Sequence, residues 1–217
     1  IGTSTLNYKI LPWLTATYRL GTTVNANYSK STAEAFTYSP FAKTSGKYNS
    51  VNDVFASVSD GQSIGTRITS EAFLAGQKDF GKISVDGLIG QSYRETFSKS
   101  VGVSGSNLII PTLFNVSNRT GEPGASESFS ETKLMGVFGK ASVGYDNWAF
   151  LEVTGRNDWD SRLPITGRSF FYPGASASVV LSDAIKAIKN SDVISYLKLR
   201  GSVSQSGNVN LGAYSLE

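Results

Sequence analysis

The sequence has 217 residues, enough for one large domain, and a net charge of only +3 with scattered basic residues, which does not indicate nucleic-acid binding. It contains no cysteine and no histidine, which excludes disulfides, thiolate metal sites, thiol enzymes and histidine-dependent triads within these residues. Its 22 glycines and 12% aromatic residues favour β structure over a helical bundle. No stretch reaches the roughly 18 apolar residues of a transmembrane helix.

The first two predicted strands lie on either side of Pro12 and Trp13. Residues 6–10 alternate between apolar and polar side chains and predict a short strand. Residues 14–28 contain the longest alternation in the sequence, with apolar side chains at most even positions and polar ones at odd positions. A strand of this length is typical of a tilted strand that crosses a bilayer.

The middle of the chain predicts two long polar loops, over Ser31–Ile64 and Thr96–Lys133. Between them, residues 65–78 and 83–94 alternate as strands around a tight turn at Asp79–Gly81. Loops as long as these are uncommon in compact domains and are usually functional.

Residues 134–158 predict an antiparallel hairpin with one apolar and one polar face. The turn lies at Asp146 and Asn147, and each arm has about ten residues, near the length of a bilayer-spanning strand. Tyr145 and Trp148 flank the turn, where an aromatic girdle would lie in a membrane barrel.

The last third begins with a shorter loop over Trp159–Arg168, followed by a strand over residues 171–181. Ser182 is expected to cap a short helix that ends by Asn190, and residues 197–203 alternate as a further strand. About eight strands are therefore predicted, with short turns at one end and long loops at the other. This alternation is typical of outer-membrane barrels, in which the short turns are periplasmic.

Three motifs in the second half resemble one transporter family. They are GRNDWDSRLP at residues 155–164, SFFYPGASASVVLSD at residues 169–183 and YLKLRGSVSQSGN at residues 196–208. Together they resemble the barrel of SusC-like (SusC/RagA family) TonB-dependent outer-membrane transporters. YKILP at residues 8–12 matches the same family more loosely.

The resemblance implies an all-β fold, an antiparallel transmembrane β-barrel segment with about eight of 22 strands. Residues 1–217 would belong to one barrel domain, and since the sequence begins at Ile1 without Met or a signal peptide, the plug domain and remaining strands are expected outside it. Family members import glycans or peptides across the outer membrane of Gram-negative bacteria. Their partners are a SusD-like surface lipoprotein, the TonB complex, reached through the N-terminal region, and outer-membrane lipid. No enzyme activity, cofactor or nucleic-acid partner is implied.

The densest cluster of functional side chains follows the hairpin: Arg156, Asp158, Trp159, Asp160 and Arg162. We predict that it binds ligand at the extracellular end of the barrel, because aromatic rings stack on sugars and charged groups bond hydroxyls or peptides. Alternatively, Arg156 and Asp158 pair with neighbouring strands and Trp159 is an interfacial anchor. The cluster lacks the Asp-x-Asp-x-Asp-Gly order of a calcium loop, so no metal site is expected.

Other residues allow simpler interpretations. Trp13, Tyr145 and Trp148 are expected to be membrane-interface aromatics. Lys198 and Arg200 lie on the lumen face and could guide an anion, although a ladder of cross-strand ion pairs is the simpler reading. The competing function is a structural or adhesive outer-membrane module, such as a small closed eight-stranded barrel. A polysaccharide-degrading enzyme ranks last.

Overall fold

The computed structural model describes residues 1–44, 51–185, 188 and 193–215. Eight strands form one sheet whose order follows the chain, so the predicted all-β class and strand number are confirmed. The strands are β1 (Gly2–Leu11), β2 (Leu14–Ala33), β3 (Ser57–Phe80), β4 (Ile83–Gly105), β5 (Gly124–Tyr145), β6 (Ala149–Asp160), β7 (Ser169–Val180) and β8 (Lys198–Ser204). Two short helices are α1 (Pro40–Thr44) and α2 (Leu181–Ala184), and none in the described residues could cross a membrane.

The predicted long loops are wrong at their ends, because the strands continue into them. The connection after β2 covers only residues 34–56, and the one after β4 covers residues 106–123. The third loop is also shorter, because β6 continues to Asp160. In the extended parts of β4 and β5, one face carries serines that meet across the sheet. The other face mixes Phe97, Val101 and Val103 with Lys99 and Glu127, so the alternation is weak in the sequence.

Two smaller predictions are also wrong. The turn after β3 lies at Gly81 and Lys82 rather than at Asp79–Gly81, because β3 continues to Phe80. Ser182 lies inside α2, whose N-cap is Val180 without a side-chain cap, since the chain enters the helix directly from β7. The rest of that predicted helix falls mostly outside the described residues.

The chain divides into two units, of which the first comprises Ile1–Thr23, Arg67–Thr96 and Glu131–Glu217. Side chains in this unit alternate between two faces. The apolar face carries large hydrophobic side chains that are 41–67% exposed: Leu6, Tyr8, Leu74, Ile89, Met135, Val137, Val143, Leu151 and Val153. The polar face carries charged and hydroxyl side chains that contact one another across strands or, for Arg156 and Asp158, along one strand: Arg19, Glu71, Asp86, Ser92, Lys140, Glu152, Arg156 and Asp158.

The second unit comprises Val24–Thr66 and Phe97–Ser130. Its small core contains Ala56, Val58 and Leu108, with Phe114 and Val116 packed against it. Cross-strand pairs hold its strands together: Ser98 with Ser130 and Ser100 with Ser128, each at 2.8 Å, and Lys30 with Asp60 at 3.0 Å. In the loop after β2, hydrogen bonds from Lys43 and from the Tyr38 amide lower the pKa of Asp53.

The predicted hairpin of β5 and β6 is confirmed, with Tyr145 opposite Ala149 and Val143 opposite Leu151. Its turn residues Asp146 and Asn147 have φ angles of 47° and 60°. Such left-handed conformations are best tolerated by Gly, Asn and Asp, which explains these two residues in the three-residue connection between Tyr145 and Ala149.

This turn also contacts the neighbouring turn, which connects β3 to β4. The Asp146 amide donates to the Lys82 carbonyl at 2.6 Å, and the Lys82 Nζ lies 2.7 Å from the Asp146 carboxylate. The hydrogen bond to Asp146 raises the pKa of Lys82. Adjacent hairpins are thereby joined at their short-turn ends.

The turn can be tested by changing Asn147. We expect Asn147→Val to lower the free energy of unfolding by about 1–2 kcal/mol, because a β-branched side chain is strained at positive φ. Urea unfolding of the purified protein measures this. Asn147→Gly should unfold like the wild type, and equal stability of the valine variant would contradict the turn conformation.

Candidate ligand-binding site

The predicted ligand residues lie at the end of β6 and in the loop after it. Because side chains alternate along a strand, Arg156, Asp158 and Asp160 lie on the polar face while Trp159 lies on the opposite one. The register agrees, since Asp158 lies opposite Gly136 and Trp159 opposite Met135. The structure therefore divides the predicted cluster between two faces.

Arg156 and Asp158 form an ion pair on the polar face. The Arg156 Nε lies 2.7 and 2.9 Å from the two carboxylate oxygens of Asp158. The Nη2 donates to the Ser92 Oγ at 2.9 Å, and the guanidinium lies 5.7 Å from the centre of the Phe138 ring. The Arg156 side chain remains 38% exposed, so it is held in place yet open to solvent.

Gly136 makes room for this ion pair. A Cβ at position 136 would collide with the Asp158 carboxylate and with the Arg156 guanidinium. Both side chains cross over the glycine backbone of the neighbouring strand, and any other residue there would displace them. The glycine is thus a requirement of the site that the sequence analysis missed.

Asp160 and Arg162 form a second pair, which is tied into the protein. Arg162 donates to Asp160 through its backbone amide at 3.0 Å, its Nε at 2.9 Å and its Nη2 at 2.5 Å. Its Nη1 donates to the Leu211 carbonyl at 3.0 Å. Asp160 is only 3% exposed, and its hydrogen bond raises the pKa of Arg162. This pair joins the loop after β6 to the segment after β8. Most of its hydrogen-bonding atoms are already used within the protein, so few can bind a ligand.

Trp159 lies away from the charged pairs. It faces Met135 on β5 and Ser169 on β7, on the face that carries Val137 and Leu151. The structure does not bring its indole together with Arg156 and Asp158. Its position fits the interfacial alternative better than the ligand-stacking prediction.

The other predicted aromatics lie at the short turns. Tyr145 and Trp148 pack edge to face, with ring centres 5.8 Å apart. Trp13 lies 5.8 Å from the Lys78 Nζ, and its carbonyl accepts a hydrogen bond from the Gln77 amide at 3.0 Å. All three remain predicted interface residues.

Sequence reasoning missed two further groups of interactions on the polar face. Lys140 lies between Asp86 at 3.4 Å and Glu152 at 3.1 Å. Arg19 lies 3.8 Å from Glu71 and 5.0 Å from the centre of the Phe73 ring. The alternation put these residues on one face, but only the register between strands shows which of them meet.

Lys198 and Arg200 differ from the expected ladder of ion pairs. Lys198 lies over the Phe150 ring at 5.7 Å, and Arg200 faces Ser178. In the part of the chain that the structure describes, neither residue has an acidic partner. The charges of the polar face thus form separate pairs and groups instead of one continuous ladder of ion pairs.

Comparison with known proteins gives one sequence relative and several solved structures. No protein-family model matches the sequence. TonB-dependent receptor P3 of Formosa agariphila is 26% identical over 154 residues, which are 69% of this chain and 15% of that protein. A structure described as the RagAB peptide transporter superposes with a TM-score of 0.82 and 17% identity, covering 97% of this chain and 22% of that one.

A second structure, the RagAB peptide importer in the open-open state, has a TM-score of 0.83 and 18% identity over 98% of this chain and 22% of that one. At these identities the structures establish the fold. The matched regions show that the chain spans only a minor part of the length of each of these proteins. None of these similar proteins is named as an enzyme.

The comparisons agree with the three motifs that suggested the family from sequence. They confirm the predicted fold, an antiparallel all-β barrel segment. In sequence the chain is similar to part of a TonB-dependent receptor, and in fold it is similar to part of the RagAB structures.

Proposed function

We propose that the chain forms part of the wall and loops of an outer-membrane transporter that imports a bulky nutrient, a glycan or a peptide, in a TonB-dependent manner. The observation that carries this proposal is the sheet with two chemically opposed faces. Large apolar side chains are exposed on one face, and charged and hydroxyl side chains occupy the other. Lipid outside and water inside would satisfy both.

The dimensions of the apolar face fit a bilayer. From Met135 to Tyr145 the strand advances by ten residues, about 33 Å at 3.3 Å per residue. At the roughly 40° tilt of barrel strands, this corresponds to a band about 25 Å tall. An exposed apolar surface of this extent would be unusual for a soluble monomer.

The polar face supports a wide lumen more than a small closed barrel. A closed eight-stranded barrel is just wide enough for its inward side chains to fill it. Here many polar-face positions hold small residues such as Gly90, Gly136, Ser142 and Ser176, and the charged groups are partly exposed. A structural or adhesive module is therefore less well supported.

The names of the similar proteins suggest the partners. One is called a TonB-dependent receptor, and the others are peptide transporters called RagAB. We infer a SusD-like surface lipoprotein as partner and TonB as energy source. Since the chain spans 15% of its sequence relative, contact with TonB is assigned to other parts of the protein.

Lipid contact can be tested with a matched pair of substitutions. Val153→Arg, near the middle of the apolar face, should lower the free energy of unfolding in lipid vesicles by about 2–4 kcal/mol. Ser176→Arg is the control, because it lies at a similar depth on the polar face opposite Glu152. Equal tolerance of both arginines would show that the apolar face is not in lipid.

Transport can be tested by uptake in the native host. Cells with and without the gene receive fluorescein-labelled oligosaccharides or peptides, before and after a protonophore collapses the proton gradient. We expect accumulation of at least one ligand to depend on both the gene and the gradient. Uptake that is independent of the gene for every ligand would favour the structural or adhesive module.

Arg156 can be tested with the ligand that this uptake assay identifies. Arg156→Gln should reduce its uptake about tenfold, because hydrogen bonds from a charged group contribute about 1.5–3 kcal/mol. Lys99→Gln removes the same charge from the second unit, where Lys99 pairs with Glu127, and should leave uptake unchanged. Equal uptake by both variants would remove Arg156 from the ligand site.

A further inference from the structure

Two arginines of the first unit, Arg67 on β3 and Arg94 on β4, have no acidic partner within the described residues. Contacts along the same strands place them on the polar face. A Cβ at Gly90 would collide with Phe73 and touch Phe138, so these positions share a face. Ser92 receives its hydrogen bond from Arg156 on that face.

The alternation then places both arginines near each other. Since Gly90 lies beside Phe73, antiparallel pairing puts Arg94 opposite Thr69 and diagonal to Arg67. Diagonal neighbours in a sheet lie about 7–8 Å apart. Both residues are exposed.

Positive charge is in excess around this pair. Glu71 already faces Arg19 at 3.8 Å, and Asp158 binds Arg156 at 2.7 Å. Glu71 is also diagonal to Arg94, but its ion pair is with Arg19. Arg67 and Arg94 therefore add two positive charges without an ion pair in the described residues. Like charges at such spacing repel, and an oxyanion between them would relieve the repulsion.

We propose that Arg67 and Arg94 bind two carboxylates of an acidic peptide in extended conformation. Guanidinium groups bind carboxylates through paired hydrogen bonds. In an extended peptide, every second side chain points the same way at a spacing of about 6.6 Å, close to that of the arginines. This inference rests on the proposed transport function and names the chemistry of its substrate.

The aromatic rings nearby favour a peptide over a glycan. Sugars bind proteins by stacking on open aromatic faces, but Arg19 lies over Phe73 and Arg156 over Phe138. Each arginine thus covers one face of its ring, which leaves less aromatic surface for a sugar. Carboxylate binding needs only the exposed guanidinium groups.

The test is binding of two labelled peptides to the whole protein in detergent, measured by fluorescence anisotropy. One peptide alternates Gly and Asp, and the other alternates Gly and Asn. We expect the acidic peptide to bind at least about tenfold more tightly, and Arg67→Gln and Arg94→Gln each to weaken it about tenfold. Arg67→Lys and Arg94→Lys should retain part of the binding. Lys30→Gln, which removes a charge paired with Asp60, should change nothing.

Three outcomes would overturn the inference. Equal affinity for both peptides, or unchanged binding by both glutamine variants, would remove the arginines from the site while transport itself stands. Arginine-dependent binding of a uronic-acid oligosaccharide but not of the acidic peptide would assign the site to a glycan. Absence of gene-dependent uptake, by contrast, would contradict the proposed transport function.

Discussion

Continuous pairing of eight consecutive strands is the constraint on which the rest of the structure depends. Inside a bilayer no water can bond the backbone, so each strand must find its partners in the sheet. Here each strand pairs with its neighbours in sequence, through short turns at one end and longer connections at the other. As a result, the side chains that alternate along each strand line up into two faces shared by neighbouring strands.

The apolar face follows directly from this constraint, whereas the polar face needs further arrangements. Charged groups on this face are positioned by specific contacts rather than by the alternation alone. Arg156 contacts a carboxylate on its own strand, a serine on β4 and an aromatic ring on β5. The arrangement works only because Gly136 leaves space beneath it.

The same pairing operates where no continuous apolar face exists. In the second unit, serine pairs and the pairs of Lys30 with Asp60 and Lys99 with Glu127 hold strands whose faces are polar or mixed. Their sequence resembles a loop, because a hydrophobic period arises only when one face is shielded from water. The bounds of β2 to β5 could therefore not be predicted beyond their amphipathic parts.

The candidate site was predicted only in part. The sequence placed Arg156 and Asp158 on one face, since residues two positions apart on a strand point to the same side. It did not reveal that Arg162, paired with Asp160, also bonds the Leu211 carbonyl, because that contact joins segments 49 residues apart. Nor did it separate Trp159 from the cluster, although the alternation alone could have done so.

By itself the sequence determined the all-β class, the number of strands, the hairpin with its Asp146–Asn147 turn and the resemblance to SusC-like barrels. These features are local, since they depend on the period of side chains, on the φ preferences of turn residues and on short motifs. Only the tertiary structure decided how far the strands extend, which charges meet across the polar face and which arginines have no acidic partner among the residues described. Those depend on the register between strands, which is set by the pairing of distant residues.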